Sequence, residues 1–338
     1  MLKFKDISGQ DSAIEDLLRA YRADRLPHGL IFAGPTGVGK QMTATALATL
    51  FLCEKPRNDS PCGKCQSCQS MDLSVHPDYH FITKELARQH DKSGTSKATQ
   101  IAIQVIREEL SVPAGRKPAL GRGKVFVIEE AELMTAAAQN ALLKTLEEPL
   151  GRALIMLLTP SPAELLATVR SRCQTIRFLP LDTQWIERQL IDRKIDPSSA
   201  KLAADLSDGS LGTALRWIED AALEPAGAIT QRIDSLLQGE PAADLAELLK
   251  KSAESLAQKT LGRDPLASKD AATRGGLSVY LSVISRRLRK SLRDEPDPAQ
   301  AEFTCRFIEA VARAEKYLDA NVNLSLVLEQ LGLSLTAN

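Results

Sequence analysis

The stretch "HGLIFAGPTGVGKQMTATALATLFL", residues 28–52, constrains this chain more than any other. An apolar run of strand length passes through Gly34, Gly37 and Gly39 to Lys40 and then into a helix-forming run. That order of strand, glycine loop and helix is the context of the phosphate-binding pattern G-x-x-x-x-G-K-[ST]. The glycines would let backbone N–H groups face phosphate oxygens, and Lys40 would add a point charge at the β/γ-phosphates. Gln41 stands where a Ser or Thr hydroxyl would meet Mg²⁺. The competing reading is a glycine-rich turn that holds nothing.

Two further apolar runs, "KVFVIEE" at 124–130 and "ALIMLLT" at 153–159, flank the helical pattern "AQNALLKTLEEP". Strands alternating with helices predict a parallel sheet covered on both faces. Ahead of them, Ile14, Leu17, Leu18 and Tyr21 give residues 11–24 one apolar helical face, with Asp11 or Ser12 as N-cap. Beyond Pro180 the strand signals fade. From about residue 184 the chain reads as helices, including "AADLAELLKKSAESLAQ", "LSVYLSVISRRLRKSL" and "FIEAVARAEKYL". Boundaries are expected near 181 and 225, and a polar break at 293–300 separates two late helices.

The end of "KVFVIEE" has the form of a strand whose acids serve a nucleotide's metal and water. Glu129 takes the metal-facing position, one methylene longer than the usual Asp, and Glu130 the water-orienting one. Cys53, Cys62, Cys65 and Cys68 give C-x₈-C-x₂-C-x₂-C, the spacing of one tetrahedral structural Zn²⁺ site. Disulfides are the alternative. The N-terminal "MLKFKDISGQ" has no apolar stretch and cleavage site, which predicts no secretory signal and favours metal over disulfide. Cys173 and Cys305 stand apart, and His28, His76, His80 and His90 show no ligand spacing, so packing or hydrogen bonding is expected of them. Lys plus Arg and Asp plus Glu both number 43, so any nucleic-acid contact must come from a local patch. Arg286, Arg287, Arg289, Lys290 and Arg293 form one such stretch, read first as a solvated helix face.

These features occur together, and in this order, in one family. "GPTGVGK", the four-cysteine insert, "NALLKTLEEP" (140–149) and "SRC" (171–173) resemble the AAA+ clamp-loader subunits of bacterial DNA polymerase III. So do "DGSLGTAL" (208–215) and "ANVNLSLVLEQL" (320–331). The resemblance implies a RecA-like α/β domain over 1–181 with the zinc module at 53–68, a helical lid over 182–224 and a helical collar over 225–338. It places Thr159 at the sensor-1 position and Gly212 where an active subunit carries a sensor-2 arginine. It makes Arg172 a finger that reaches a neighbouring subunit's ATP site.

Within the family the choice lies between the ATP-hydrolysing gamma/tau type and the delta-prime type. Gln41, Glu129 and Gly212 all depart from the hydrolysing pattern, whereas Arg172 is kept. The expectation is a delta-prime-like stator in which ATP and Mg²⁺ bind weakly or not at all. Implied partners are gamma/tau- and delta-type subunits, with the sliding clamp and primed DNA reached through the complex. The machinery of the single-stranded-DNA-binding protein is a further candidate, and the expected location is the cytoplasm. Two alternatives stay open: a chain that hydrolyses ATP itself, and a cysteine insert that reads nucleic acid.

Overall fold

The computed structural model describes all residues except 1, 91–98, 121, 149–150, 241–243, 265–267, 294–296, 321 and 337–338. Pro149 of "NALLKTLEEP", Asn321 of "ANVNLSLVLEQL" and parts of two predicted segments, 242–243 and 294–296, lie outside the described residues. The chain divides into an α/β unit, residues 1–186 with 208–213, and a helical unit, residues 187–207 with 214–338.

The α/β unit holds one sheet of five parallel strands: β1 Gly29–Ala33, β2 Tyr79–Ile82, β3 Lys124–Ile128, β4 Ala153–Thr159 and β5 Gln174–Arg177. Their order is β2-β3-β4-β1-β5. The central strands read as unbroken apolar runs because both faces are buried. Alternate residues feed two cores. Leu154, Met156 and Leu158 of β4 pack on one face with Leu30, Phe32, Val125 and Val127. Ile155 and Leu157 join Ile31, Phe126 and Ile128 on the other.

Helices α1 (Asp11–Arg22) and α2 (Lys40–Leu52) cover the first face. Helix α2 is buried almost all round, and its Ala and Thr residues permit close approach; Thr49 Oγ1 donates back to Thr45 O at 2.7 Å. The short helix α3 (Gln66–Asp72) belongs to the cysteine insert. Residues 103–114, irregular and partly π-helical, and α4 (Ala136–Glu147) cover the second face.

Two local expectations are corrected. Residue 10, not Asp11 or Ser12, is the N-cap of α1, and it gives no side-chain cap. The Gln10 amide is engaged elsewhere: Nε2 donates to Val38 O at 3.2 Å and Leu179 O at 2.7 Å, and Oε1 accepts from Leu179 N at 3.1 Å. Edge strand β2, "YHFI", was missed because three half-buried residues, Tyr79, His80 and Phe81, followed by one buried Ile82 carry no clear strand period.

All described elements of the helical unit are helices. The longest are residues Leu245–Arg263, Lys269–Arg293 and Pro298–Asp319. Asp297 caps the last of these, accepting from Ala299 N and Gln300 N at 2.9 and 3.1 Å. The core of the unit includes Leu249, Ala253, Leu277, Tyr280, Ile284, Leu288 and Phe307.

Candidate functional site

The glycine loop leaves the C-terminal end of β1 and opens into α2, so the strand, loop and helix order read from the sequence is present. Gly34 N donates to Thr159 O at 3.2 Å, tying the loop to the end of β4. Lys40 is 8% exposed and its ammonium is turned back on the loop, donating to Gly34 O and to Pro35 O at 2.6 Å. Burial pulls its pKa down to about 8, against the opposing charges of Glu132 and Glu129. Gln41 is exposed on the first turn of α2.

The segment 208–213 closes over this loop within the same unit. Gly212 N donates to Gly37 O at 3.1 Å. A Cβ added at Gly212 would lie 2.9 Å from Gly37 Cα, and one added at Gly37 would lie 2.4 Å from Ser210 Oγ. Gly37 also has φ +76°, a region that disfavours side chains. Neither position accepts a larger residue while the backbones stay this close.

At the end of β3 the acids behave differently from one another. Glu130, at φ 48° and ψ 50°, pairs with Lys84 Nζ at 2.8 Å. Glu129 N donates to Ile82 O at 2.9 Å. Glu132, which sequence reasoning missed, has its Oε2 buried with no hydrogen-bond partner, and burial raises its carboxyl pKa against the opposing influence of Thr159. The signal was available as the third acid of "IEEAE". The Lys84 partner, 46 residues away in sequence, had none.

Cys53, Cys62, Cys65 and Cys68 converge, with all four Sγ atoms within 4.8 Å of one another. Cys62 Sγ and Cys68 Sγ are 4.0 Å apart and all four thiols are free. Tetrahedral Zn–S bonds of about 2.3 Å require sulfurs roughly 3.8 Å apart, so the set fits a Zn²⁺-sized ion. Backbone amides already face the sulfurs: Cys62 N donates to Cys53 Sγ at 3.2 Å, Cys65 N to Cys62 Sγ at 3.4 Å and Cys68 N to Cys65 Sγ at 3.4 Å. Amides of Lys64 and Cys65 pull the Cys62 thiol pKa down to about 6.

Behind the cluster a buried relay joins the insert to the sheet. Ser67 Oγ donates to Leu52 O at 2.9 Å, so it accepts from His76 Nε2 at 2.8 Å. His76 Nδ1 accepts from Asp78 N at 3.0 Å. Those partners assign the neutral Nε2–H tautomer.

Arg172 lies between a short helix, Ala167–Arg170, and β5. Its guanidinium meets Glu147 at 2.5 Å and donates to Thr168 O at 2.9 Å, with about a third of the side chain (35%) exposed. The "NALLKTLEEP" and "SRC" motifs therefore touch through these two residues. The remaining imidazoles are locally engaged. His28 Nε2 meets Leu146 O at 2.5 Å, His80 stacks on Phe126 at 4.8 Å between centroids, and His90 sits between Glu108 and Glu109 at 2.8 and 2.7 Å. Burial pushes the Cys173 thiol up to about 12, while Cys305 is exposed. In the basic stretch Arg287 pairs with Asp234 at 2.6 Å, and Arg289, Lys290 and Arg293 are exposed.

A phosphate-loop pattern on a RecA-like parallel sheet, with acids at a neighbouring strand end, defines a protein of the phosphate-loop nucleotide-binding class, here joined to a four-cysteine cluster and a helical C-terminal region. The family model described as "DNA polymerase III, delta subunit" matches residues 9–182. DNA polymerase III subunit delta' of Bacillus subtilis is 30% identical over 333 residues, 96% of each chain. The delta' subunit of Escherichia coli is 37% identical over 202 residues, 60% of this chain and 57% of its own. The tau subunit of Escherichia coli is 30% identical over 241 residues, 69% of this chain and 35% of its own. The chain belongs to the delta-prime/tau family of bacterial DNA polymerase III clamp-loader subunits.

Proposed function

We propose that this chain is the delta-prime-type stator of a clamp loader: it does not turn over ATP but lends Arg172 to the ATP site of an adjacent subunit. The observation that carries the reading is the contact between Gly212 and Gly37. A hydrolysing subunit places an arginine at the position of Gly212, and here a side chain at 212 would collide with the loop backbone at 2.9 Å. Three further features support it. Lys40 is satisfied by loop carbonyls, Glu130 by Lys84, and Gln41 offers a longer amide where Mg²⁺ needs a compact ligand at about 2.1 Å.

The cysteine cluster would hold a structural Zn²⁺, because four thiolates leave the metal no open position for substrate. Residues 182–224 serve as lid and 225–338 as collar, through which the chain joins gamma/tau- and delta-type subunits. The assembly opens the sliding clamp and loads it on primed DNA, in the cytoplasm. In that setting the Arg172 guanidinium stabilises charge on the phosphoryl group transferred at the neighbour's site, an effect of about 10³–10⁵ in rate for fingers supplied in trans.

The test is ATP turnover by the chain alone and by the complex reconstituted with its gamma/tau and delta partners. The chain alone should show no Mg²⁺-dependent turnover. Arg172→Ala should leave assembly intact and abolish turnover at the one site it serves. Normal turnover in that complex would sink the finger assignment, and hydrolysis by the chain alone that Lys40→Ala removes would make it a motor.

A further inference from the structure

An open pocket of about 800 Å³ lies on the α/β unit, remote in sequence from the phosphate loop. Tyr21, Arg22, Asp59, Arg122 and Arg152 line it, with Asp24 from just beyond the end of α1 and Asn58 from the cysteine insert. Arg122 and Arg152 stand just before β3 and β4, so the pocket opens at the N-terminal ends of the strands. The phosphate loop is at their C-terminal ends, the usual place for ligands in a parallel sheet. This is a separate site.

The floor of the pocket is rigidly built. Lys124 N donates to Arg152 O at 2.9 Å, which sets the start of β3 beside the start of β4. Gly123, at φ +142°, fits because any Cβ there would lie 2.4 Å from Arg152 O and 3.1 Å from Phe51 Cε1. Arg122 is thereby held next to Arg152. The Arg152 guanidinium lies over the Phe51 ring at 4.4 Å from its centroid, which fixes its plane.

Charge in the pocket is not balanced among the described residues. Arg22 and Asp59 neutralise each other through a two-point pair, with Arg22 Nε donating to Asp59 Oδ1 at 2.8 Å. Arg122 Nε is buried with no hydrogen-bond partner, and Arg152 has the aromatic ring but no acid in contact. Asp24 is the other acid at the pocket, and no ion pair joins it to either arginine. Two guanidiniums with no acid partner thus line the same pocket, and an oxyanion seated between them would be held by both.

From this we infer that the pocket is a phosphate-binding site, in which Arg122 and Arg152 grip one phosphate group and the Arg22–Asp59 pair forms the wall. A dianionic phosphate matches two guanidiniums that have no acid partner better than a single carboxylate does. The volume falls within the range of small-molecule sites and leaves room for whatever carries the phosphate. That carrier is either a free nucleotide-sized anion or the phosphorylated end of a strand.

Calorimetric titration of the full chain separates these. The probes are inorganic pyrophosphate, ADP, and a single-stranded oligonucleotide with and without a 5′-phosphate. Pyrophosphate affinity should fall at least tenfold in Arg122→Gln and in Arg152→Gln, and hold in Lys40→Ala, which disables the phosphate loop instead. Arg122→Gln is the cleaner variant, since Arg122 packs on no ring, and thermal midpoints certify that each variant is folded. Arginine-dependent binding of ADP and pyrophosphate alone assigns a small molecule; binding of the oligonucleotide only when it is 5′-phosphorylated assigns a strand end. No binding of any probe, undiminished binding in both arginine variants, or loss in Lys40→Ala alone would overturn the inference.

Discussion

Gly212 rests on Gly37, amide to carbonyl at 3.1 Å, with no space for a side chain on either residue. The phosphate loop is thus braced from outside by the start of a helix, and from within by its own lysine. Gln10 adds a third brace by bonding Val38 and Leu179 together.

Replacing Gly212 by Ala should destabilise the chain by about 1–3 kcal/mol, the usual cost of forcing a methyl group against a close-packed backbone. Urea unfolding followed by circular dichroism would read this as a lower midpoint with an unchanged slope. Gly212→Arg should lower the midpoint further and should not confer ATP turnover. A midpoint unchanged in Gly212→Ala would mean that the contact relaxes freely.

The pair of Glu147 and Arg172 is half exposed, so its worth to stability is at most about 1 kcal/mol. Arg172→Ala and Glu147→Gln should therefore melt close to the parent. This separates any loss of complex ATPase in Arg172→Ala from misfolding. A drop of several degrees in both variants would show that the pair is structural.

Purified chain should carry one zinc per molecule, measured by elemental analysis, with four of its six thiols masked until the metal is chelated. Cys65→Ser should lose the metal and expose the segment 53–72 to protease, while the sheet persists. The reason is that structural zinc binding supplies folding free energy to the segment that it ties together. Zinc absent from freshly prepared protein with four reactive thiols would refute this.

His76 gives a pH dependence of definite sign. Burial holds its pKa below the ordinary value near 6.5, so the unfolded chain takes up the proton first. The stability gained from the neutral ring is complete above pH 6.5 and is lost as pH falls from there towards the folded pKa. Protonation would also put a donor at Nδ1 against Asp78 N–H. Between pH 6.5 and 5.5 the unfolding midpoint should fall more steeply in the parent than in His76→Gln, with zinc content monitored throughout; equal slopes would remove His76 from the account.

Much of this protein was legible in its residues because the signals are local. Strand, glycine loop and helix follow one another in the span 28–52, and four cysteines fall within residues 53–68, so chain connectivity alone brings each group near its place. Continuous apolar runs announced the buried strands, since a strand covered on both faces has no polar side to show. Short β2 escaped because its four residues carry no period of their own and are held by pairing to β3.

What the sequence could not decide is which partner each polar group takes. In the fold Lys40 bonds Gly34 and Pro35, Glu130 pairs with Lys84, and Gln10 bonds Val38 and Leu179, contacts that no local pattern specifies. Sequence determined the sheet, the cysteine cluster and the presence of Arg172, because spacing and hydrophobic pattern act over a few residues. Tertiary structure decided that Gly212 meets Gly37 across 175 positions and that Arg122 and Arg152 share one pocket, because such contacts form only when distant segments pack.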